Sequence, residues 1–400
     1  MGAAGSRRVG LAATMTGVTS PASARPAPTD GVGGPAAGAS APSAAGGRLR
    51  AMDALRLVAA LAVVLFHFTA RDHSRWDVLP AVEFPGLSQV ARYGYVGVHL
   101  FFVISGFVIL MSLWGRTLPQ FVASRVSRLY PALWAAVLLT ATLRWLWPTF
   151  GSVPLPDVLL NLTMTQGAFG VQNVDGVYWT LWVELQFYLG MVVLVLAGAT
   201  VRRVMAASVL APLAATVVAV VDPAWAQRLT ISSWLPMFAA GMVLYLIHRE
   251  GPTAARWAVV GLNTALGVGV AVDQKVDAIA AISSDVRVSP LWLAVLVAGS
   301  VAVVAVVALV PAVRDLDLPV LTAAGALTYP LYLTHEYVGW ALIEALHPAL
   351  GRTLTLLVVL ALCLGLAWLL HRLVERPLQR PLRRAVQRGL ERVGPGRRRS

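Results

Sequence analysis

Arg50-Ala-Met-Asp-Ala-Leu-Arg-Leu-Val-Ala-Ala-Leu-Ala-Val-Val-Leu-Phe-His-Phe-Thr69 is the stretch whose reading decides the fold. It is apolar almost throughout, and at about 1.5 Å per residue it is long enough to cross a hydrocarbon layer of about 30 Å. Yet it carries Asp53, Arg56 and His67, which a helix facing only lipid does not tolerate. At about 100° per residue, Arg56 and His67 fall about 20° apart around the helix and about 16 Å apart along it. Asp53 lies within about 60° of both. The stretch reads as a first membrane span with one polar stripe, an ion-pairing group near its start and a titratable imidazole near its end.

Composition extends this reading to the whole chain. Hydrophobic residues make up 58% of 400 and charged residues 13%, against a soluble norm of roughly 45–50% and about 25%. The expected fold class is an all-α polytopic membrane protein. A net charge of +13 would point to nucleic acid in a soluble chain. Here the positive residues sit mostly in tails and short loops, where they set membrane orientation, so no nucleic-acid partner is expected. The single cysteine, Cys363, lies inside an apolar run, which excludes an intrachain disulfide and a cysteine-based metal cluster. No metal site is expected.

Residues 1–47 are rich in Ala, Gly, Pro and Ser and hold too few large apolar groups to form a core, so a disordered cytoplasmic tail is expected. Between 48 and 378 the sequence gives ten apolar runs. After the first come Tyr95 to Trp114, then Leu129 to Trp147, a run from Val177, and runs near 203–221, 230–248, 255–272, 290–311, 320–346 and 352–373. Pro148, Pro154, Pro156 and Gly170 break the loop between the third and fourth. Residues 379–400 form an arginine-rich tail suited to anionic lipid. An even number of spans puts both termini on one side. That side carries 23 arginines against 7 Arg/Lys opposite, with Arg56 and Arg144 inside spans. Both termini are therefore expected in the cytoplasm.

Orientation assigns depth. Arg56 lies roughly 9 Å above the cytoplasmic end and His67 about 25 Å above it. Glu184, on the descending fourth span, and His335 and Glu336, on the ascending ninth, reach a similar outer level. Ionisable groups inside a membrane are functional candidates by default, because burying them unpaired costs several kcal/mol. His67, Glu184 and His335 are the catalytic candidates, with Glu184 or Glu336 orienting the His67 ring. On the cytoplasmic side, Arg125 and Arg128 of Phe121-Val-Ala-Ser-Arg-Val-Ser-Arg-Leu-Tyr-Pro131 share a helical face. With Arg56 they form a cationic mouth suited to phosphate. Ser105 and Gly106 allow close approach to the second span.

Five motifs occur in order: Asp53-Ala-Leu-Arg56 with His67, Gly97-Val-His-Leu-Phe-Phe-Val-Ile-Ser-Gly-Phe107, Phe121-x-x-x-Arg-x-x-Arg-Leu-Tyr-Pro131, Tyr178-Trp-Thr-Leu-x-x-Glu184 and Tyr329-Pro-Leu-Tyr-Leu-x-His335. Together they resemble the acyltransferase-3 family of integral membrane enzymes, over roughly residues 48 to 378. The resemblance implies a ten-helix plasma-membrane bundle that takes an acyl group, by default acetyl, from cytosolic acyl-CoA. The acceptor would be a hydroxyl of a carbohydrate, glycolipid or secondary metabolite. It implies that His67 is the catalytic base and that Arg56, Arg125 and Arg128 serve the donor, which is a co-substrate and not a resident cofactor. A phosphopantetheine arm is of the order of the roughly 16 Å between Arg56 and His67. His99 departs from the family pattern, in which an acid is common.

Each candidate has a plainer alternative. An intramembrane histidine is often an interhelical hydrogen-bond partner, and Ser105-Gly106 is the kind of small-residue pair that packs helices. Phe101, Phe102, Trp179 and Trp182 read as packing and interface anchors. For the whole chain the alternative is a transporter or flippase for a lipid-linked sugar. The inverted repeats that would favour transport are not evident.

Overall fold

The computed structural model describes residues 49–222, 229–283 and 287–393, and the tail expected at 1–47 lies outside them. Among the described residues the fold is all-helical, without strands. The main helices are α1 (Arg50–Thr69), α2 (Gly97–Leu113), α3 (Leu118–Leu146), α4 (Trp179–Leu196), α5 (Val201–Val221), α6 (Leu235–Glu250), α7 (Ala254–Ala280), α8 (Pro290–Leu309), α9 (Pro319–Leu370) and α10 (Arg376–Val393). Each of the ten apolar runs falls on a helix. Among the described residues, eight of the helical stretches are long and apolar enough to cross a membrane. α6 has only 16 residues. α9 is one continuous rod except at Gly351, whose φ of 66° divides it into two arms. Helices suit a lipid environment because they satisfy every interior backbone group within one segment.

α3 begins eleven residues before the apolar run read from sequence. Thr117 caps it, its backbone N–H donating to Gln120 Oε1 at 3.2 Å, and Pro119 occupies the first turn. The arginine motif therefore lies on the helix itself, and Pro131 is interior to it. The basic stretch after 378 also differs from a formless tail. It continues as α10, packed against α3, with the arginines exposed.

α1 packs along the first arm of α9 and against α2, while α2 packs against α6. The α2–α6 crossing is close because Gly106 faces the Phe238 carbonyl and Gly241 faces the Val103 carbonyl. A Cβ at either position would overlap backbone. Gly106 is thus a packing residue, as small residues are at intramembrane crossings.

Arg144 is buried in the last turn of α3 and holds the long connection to α4. It donates to the carbonyls of Phe150, Gly151, Asn173 and Val174 at 3.0–3.3 Å. Its guanidinium also sits 4.8 Å from the Tyr337 ring. The loop that sequence reading could only mark as non-helical is therefore fixed at both ends. It delivers Asp175 to the start of α4, where Asp175 Oδ1 accepts from the Val177 N–H at 3.3 Å.

Replacing Gly106 by Val should separate α2 from α6 and cost on the order of 1–3 kcal/mol through overpacking. A lower thermal midpoint of the purified protein checks this. An unchanged midpoint would contradict the close crossing.

Candidate active site

Two cavities lie inside the bundle. The first is lined by Arg56 of α1, Ser105 of α2, Arg125 and Arg128 of α3, Glu184 and Tyr188 of α4, and Thr328 and Tyr329 of α9. Arg56 lies 3.6 Å from Asp53, one turn before it on the same helix. The Tyr188 hydroxyl donates to Glu184 Oε1 at 2.5 Å. Arg125 Nε is buried with no hydrogen-bond partner among the described residues. Three guanidinium groups around one cavity, against Glu184 and the neighbouring Asp53, leave an excess of positive charge. Such a site favours an anion that accepts several N–H bonds. Ser105 joins this cavity; Gly106, which packs against Phe238 of α6, does not line it.

The second cavity is lined by His67, Arg71, Tyr95, Trp179, Trp234 and Tyr332, among others. Val98 and Tyr332 line both cavities and so form the wall they share. The Tyr332 hydroxyl is 3.0 Å from Thr180 Oγ1, and its ring lies edge-on to Phe101 at 5.7 Å. The wall is thus a hydrogen-bonded contact between α4 and α9, backed by α2.

His67 and His335 are both buried, with His67 Nδ1 3.0 Å from His335 Nε2. His335 Nδ1 faces the carbonyls of Tyr332 and Leu331 at 2.9 and 3.2 Å. Carbonyls only accept, so the network assigns the proton of neutral His335 to Nδ1 and leaves its Nε2 as an acceptor. His67 must then donate from Nδ1, which leaves the His67 Nε2 lone pair unused within the pair. The histidine read from sequence as a base or an interhelical hydrogen-bond partner is the second of these in the structure, with Nε2 left open.

The end of α1 is fixed by neighbours. Trp340 Nε1 donates to the His67 carbonyl at 3.1 Å, and Trp76 Nε1 donates to the Phe68 carbonyl at 2.8 Å. The carboxylate beside His67 is Glu336, with Oε2 3.9 Å from His67 Nε2. Arg71, just beyond α1, pairs with Glu336 Oε1. Glu184, expected at the same level as His67, belongs instead to the arginine cavity. Its place on α4 is two turns further from the loop than Val177, which lines the histidine cavity.

Two neighbours of Glu336 escaped sequence reading. Arg71 looked like an ordinary loop arginine. Asp175, fully buried, abuts Glu336 and accepts from the Tyr337 N–H at 3.5 Å. Burial, and then the Glu336 carboxylate beside it, raise the Asp175 carboxyl well above its ordinary range. The available signal was an acid placed as an N-cap before the apolar run. In the loop after α1, burial pushes the His73 imidazole down to about 4. Its Nδ1 accepts from the Arg75 N–H at 3.2 Å and its ring lies 5.3 Å from Trp340, so it serves as neutral packing.

An all-helical membrane protein with a cationic cavity, a histidine cavity and a shared wall is a class defined by the fold and site together. The family model described as acyltransferase domain matches residues 49–372. The chain belongs to that acyltransferase-3 family and is a membrane acyltransferase. Comparisons with curated proteins and with solved structures gave no match.

Replacing His335 by Leu should take away the side-chain acceptor that faces the His67 Nδ1–H, at a cost of about 1–3 kcal/mol, and lower transfer by about 10- to 100-fold. His335→Gln, whose amide oxygen can accept that proton, should retain more activity than the Leu variant. Equal initial rates for the two variants would refute the tautomer assignment.

Proposed function

We propose that the protein is an acyl-CoA-dependent O-acyltransferase of the plasma membrane, with ten spans and both termini in the cytoplasm. In this reading, acyl-CoA enters from the cytosol and binds its phosphates at Arg56, Arg125 and Arg128. The pantetheine arm runs past Ser105 toward the wall of Val98 and Tyr332, which brings the thioester to the His67 side. Neutral His67 takes the proton of the acceptor hydroxyl at Nε2 as that oxygen attacks the acyl carbonyl carbon. The tetrahedral intermediate collapses with cleavage of the C–S bond, and the imidazolium returns its proton to the leaving thiolate. Ester and free CoA thiol are the products, with no net proton gained or lost.

The observation that carries this reading is the His67 Nε2 lone pair, freed by the His335 contact at 3.0 Å and beside the Glu336 carboxylate at 3.9 Å. That carboxylate stabilises the imidazolium as it forms, much as the acid does in a triad. Arg71 in turn pairs with Glu336 and holds it in place. His335 orients and assigns the tautomer. Glu184, bonded by Tyr188, serves the donor cavity by setting the positions of the arginines and is not the orienting acid. Acetyl is the acyl group expected from the family. The acceptor is a hydroxyl of a carbohydrate, a glycolipid or a related secondary metabolite.

Membranes containing the protein, given labelled acetyl-CoA and an acceptor extract, should yield an esterified product that His67→Ala abolishes while the fold persists. Arg125→Ala and Arg128→Ala should each raise the KM for acetyl-CoA by about 10- to 100-fold, as expected for hydrogen bonds to a charged group. Full transfer by the His67 variant would exclude it as base. Movement of a lipid-linked sugar across the membrane without esterification would favour transport.

Orientation has its own test. In a Cys363→Ser background, Gln120→Cys at the start of α3 should resist a membrane-impermeant thiol reagent added to intact cells. External labelling at this position would invert the topology.

A further inference from the structure

The histidine cavity has more wall than a general base requires. Trp179 and Trp234 face each other across 5.4 Å with their planes 35° apart. Trp234 is held in turn by His99 at 4.9 Å and Phe102 at 5.0 Å, both edge-on. Both indoles line the cavity that contains His67. Tyr95 lines it too, buried to 9% exposure, and its hydroxyl has no hydrogen-bond partner among the described residues. A buried phenol without a partner is costly unless something else supplies the bond. The cation in the lining is Arg71, which is already paired with Glu336 and lies over the Trp340 ring at 5.4 Å. Its charge is therefore matched before any ligand enters.

We propose that this cavity is the acceptor subsite and that it selects an uncharged ring bearing hydroxyl groups on an otherwise apolar face. The indoles of Trp179 and Trp234 take the apolar face, and the Tyr95 hydroxyl bonds a ring hydroxyl other than the one presented to His67. Apolar walls with a few placed polar groups are how pockets fix orientation. A carboxylate or phosphate on the acceptor would meet no unmatched cation, and burying it unpaired is costly. The assignment rests on the acyltransferase reading above in one respect: the donor approaches from the far side of the Val98–Tyr332 wall, which leaves this side to the acceptor.

The test uses the full chain in lipid nanodiscs free of sugar detergents, with two probes of equal shape, phenyl β-glucopyranoside and phenyl β-glucuronide. Saturable quenching of tryptophan fluorescence measures binding without requiring catalysis. The glucoside should bind at least about 100-fold more tightly than the glucuronide, the discrimination expected from an uncompensated buried carboxylate. Tyr95→Phe should weaken glucoside binding by about 3- to 10-fold, the worth of one neutral hydrogen bond. Trp179→Ala should weaken it by about tenfold through lost stacking. Retained acetyl-CoA binding by equilibrium dialysis identifies variants that fold, and if Trp179→Ala does not, Tyr95→Phe carries the test. Equal binding of the two probes, no saturable glucoside binding, or quenching that instead follows the length of the acyl chain on CoA would overturn the subsite. Glucoside binding as described without transfer from acetyl-CoA would uphold the subsite and defeat the acyltransferase reading. Transfer with indifferent probe binding would do the reverse.

Discussion

The hydrogen bond between His67 and His335 is the contact on which the rest of the site depends. It joins α1 to α9, which between them carry the buried Asp53, His67, His335 and Glu336. Its direction is set by something still more local, the carbonyls of Leu331 and Tyr332 one turn back along α9. A helix backbone thus decides which nitrogen of a side chain on another helix bears a proton. Backbone positions hardly vary with pH or ionic surroundings, so the assignment is robust in a way that a carboxylate partner at that nitrogen would not be. Glu336 is left beside the other nitrogen, its Oε2 3.9 Å from His67 Nε2.

Low dielectric explains why the remaining polar residues occur in sets. Asp53 accompanies Arg56, Glu336 accompanies Arg71, and Arg144 is surrounded by four carbonyls. Each arrangement offsets the desolvation of a guanidinium by supplying partners around its fork. In the arginine cavity the match is incomplete, since Arg125 keeps a buried Nε without a partner among the described residues.

Much of this was legible in the sequence, for identifiable reasons. Apolar runs in a membrane chain are long and unambiguous, so the helices were readable, and the 3.6-residue period alone placed Arg56 and His67 on one stripe. Arg125 and Arg128 were likewise joined by spacing. The boundary of α3 was misread because its first three turns are polar, and hydropathy is blind to a helix that starts before the apolar run; only Thr117 and Pro119 announce it. Glu184 was placed by counting depth, which gives height but not azimuth, and Glu336, the carboxylate that stands beside His67, was then only one of two choices. Arg71 and Asp175 come from loops, where no period links a residue to a helix far away in sequence. Trp179 read as a packing and interface anchor, and Trp234 drew no reading, because sequence cannot tell which side of an aromatic residue meets lipid and which meets a cavity.

The wall formed by Val98 and Tyr332 has a consequence for the cell as well as for the reaction. A protein that offered one continuous aqueous bore from its arginine end to its histidine end would conduct protons, and each copy would drain the gradient across its membrane. Two chambers divided by a closed hydrogen-bonded contact between Tyr332 and Thr180 interrupt such a path. Under the proposed transfer from acyl-CoA, catalysis and insulation would place opposite demands on the same tyrosine, which would have to yield to a thioester yet stay shut to water.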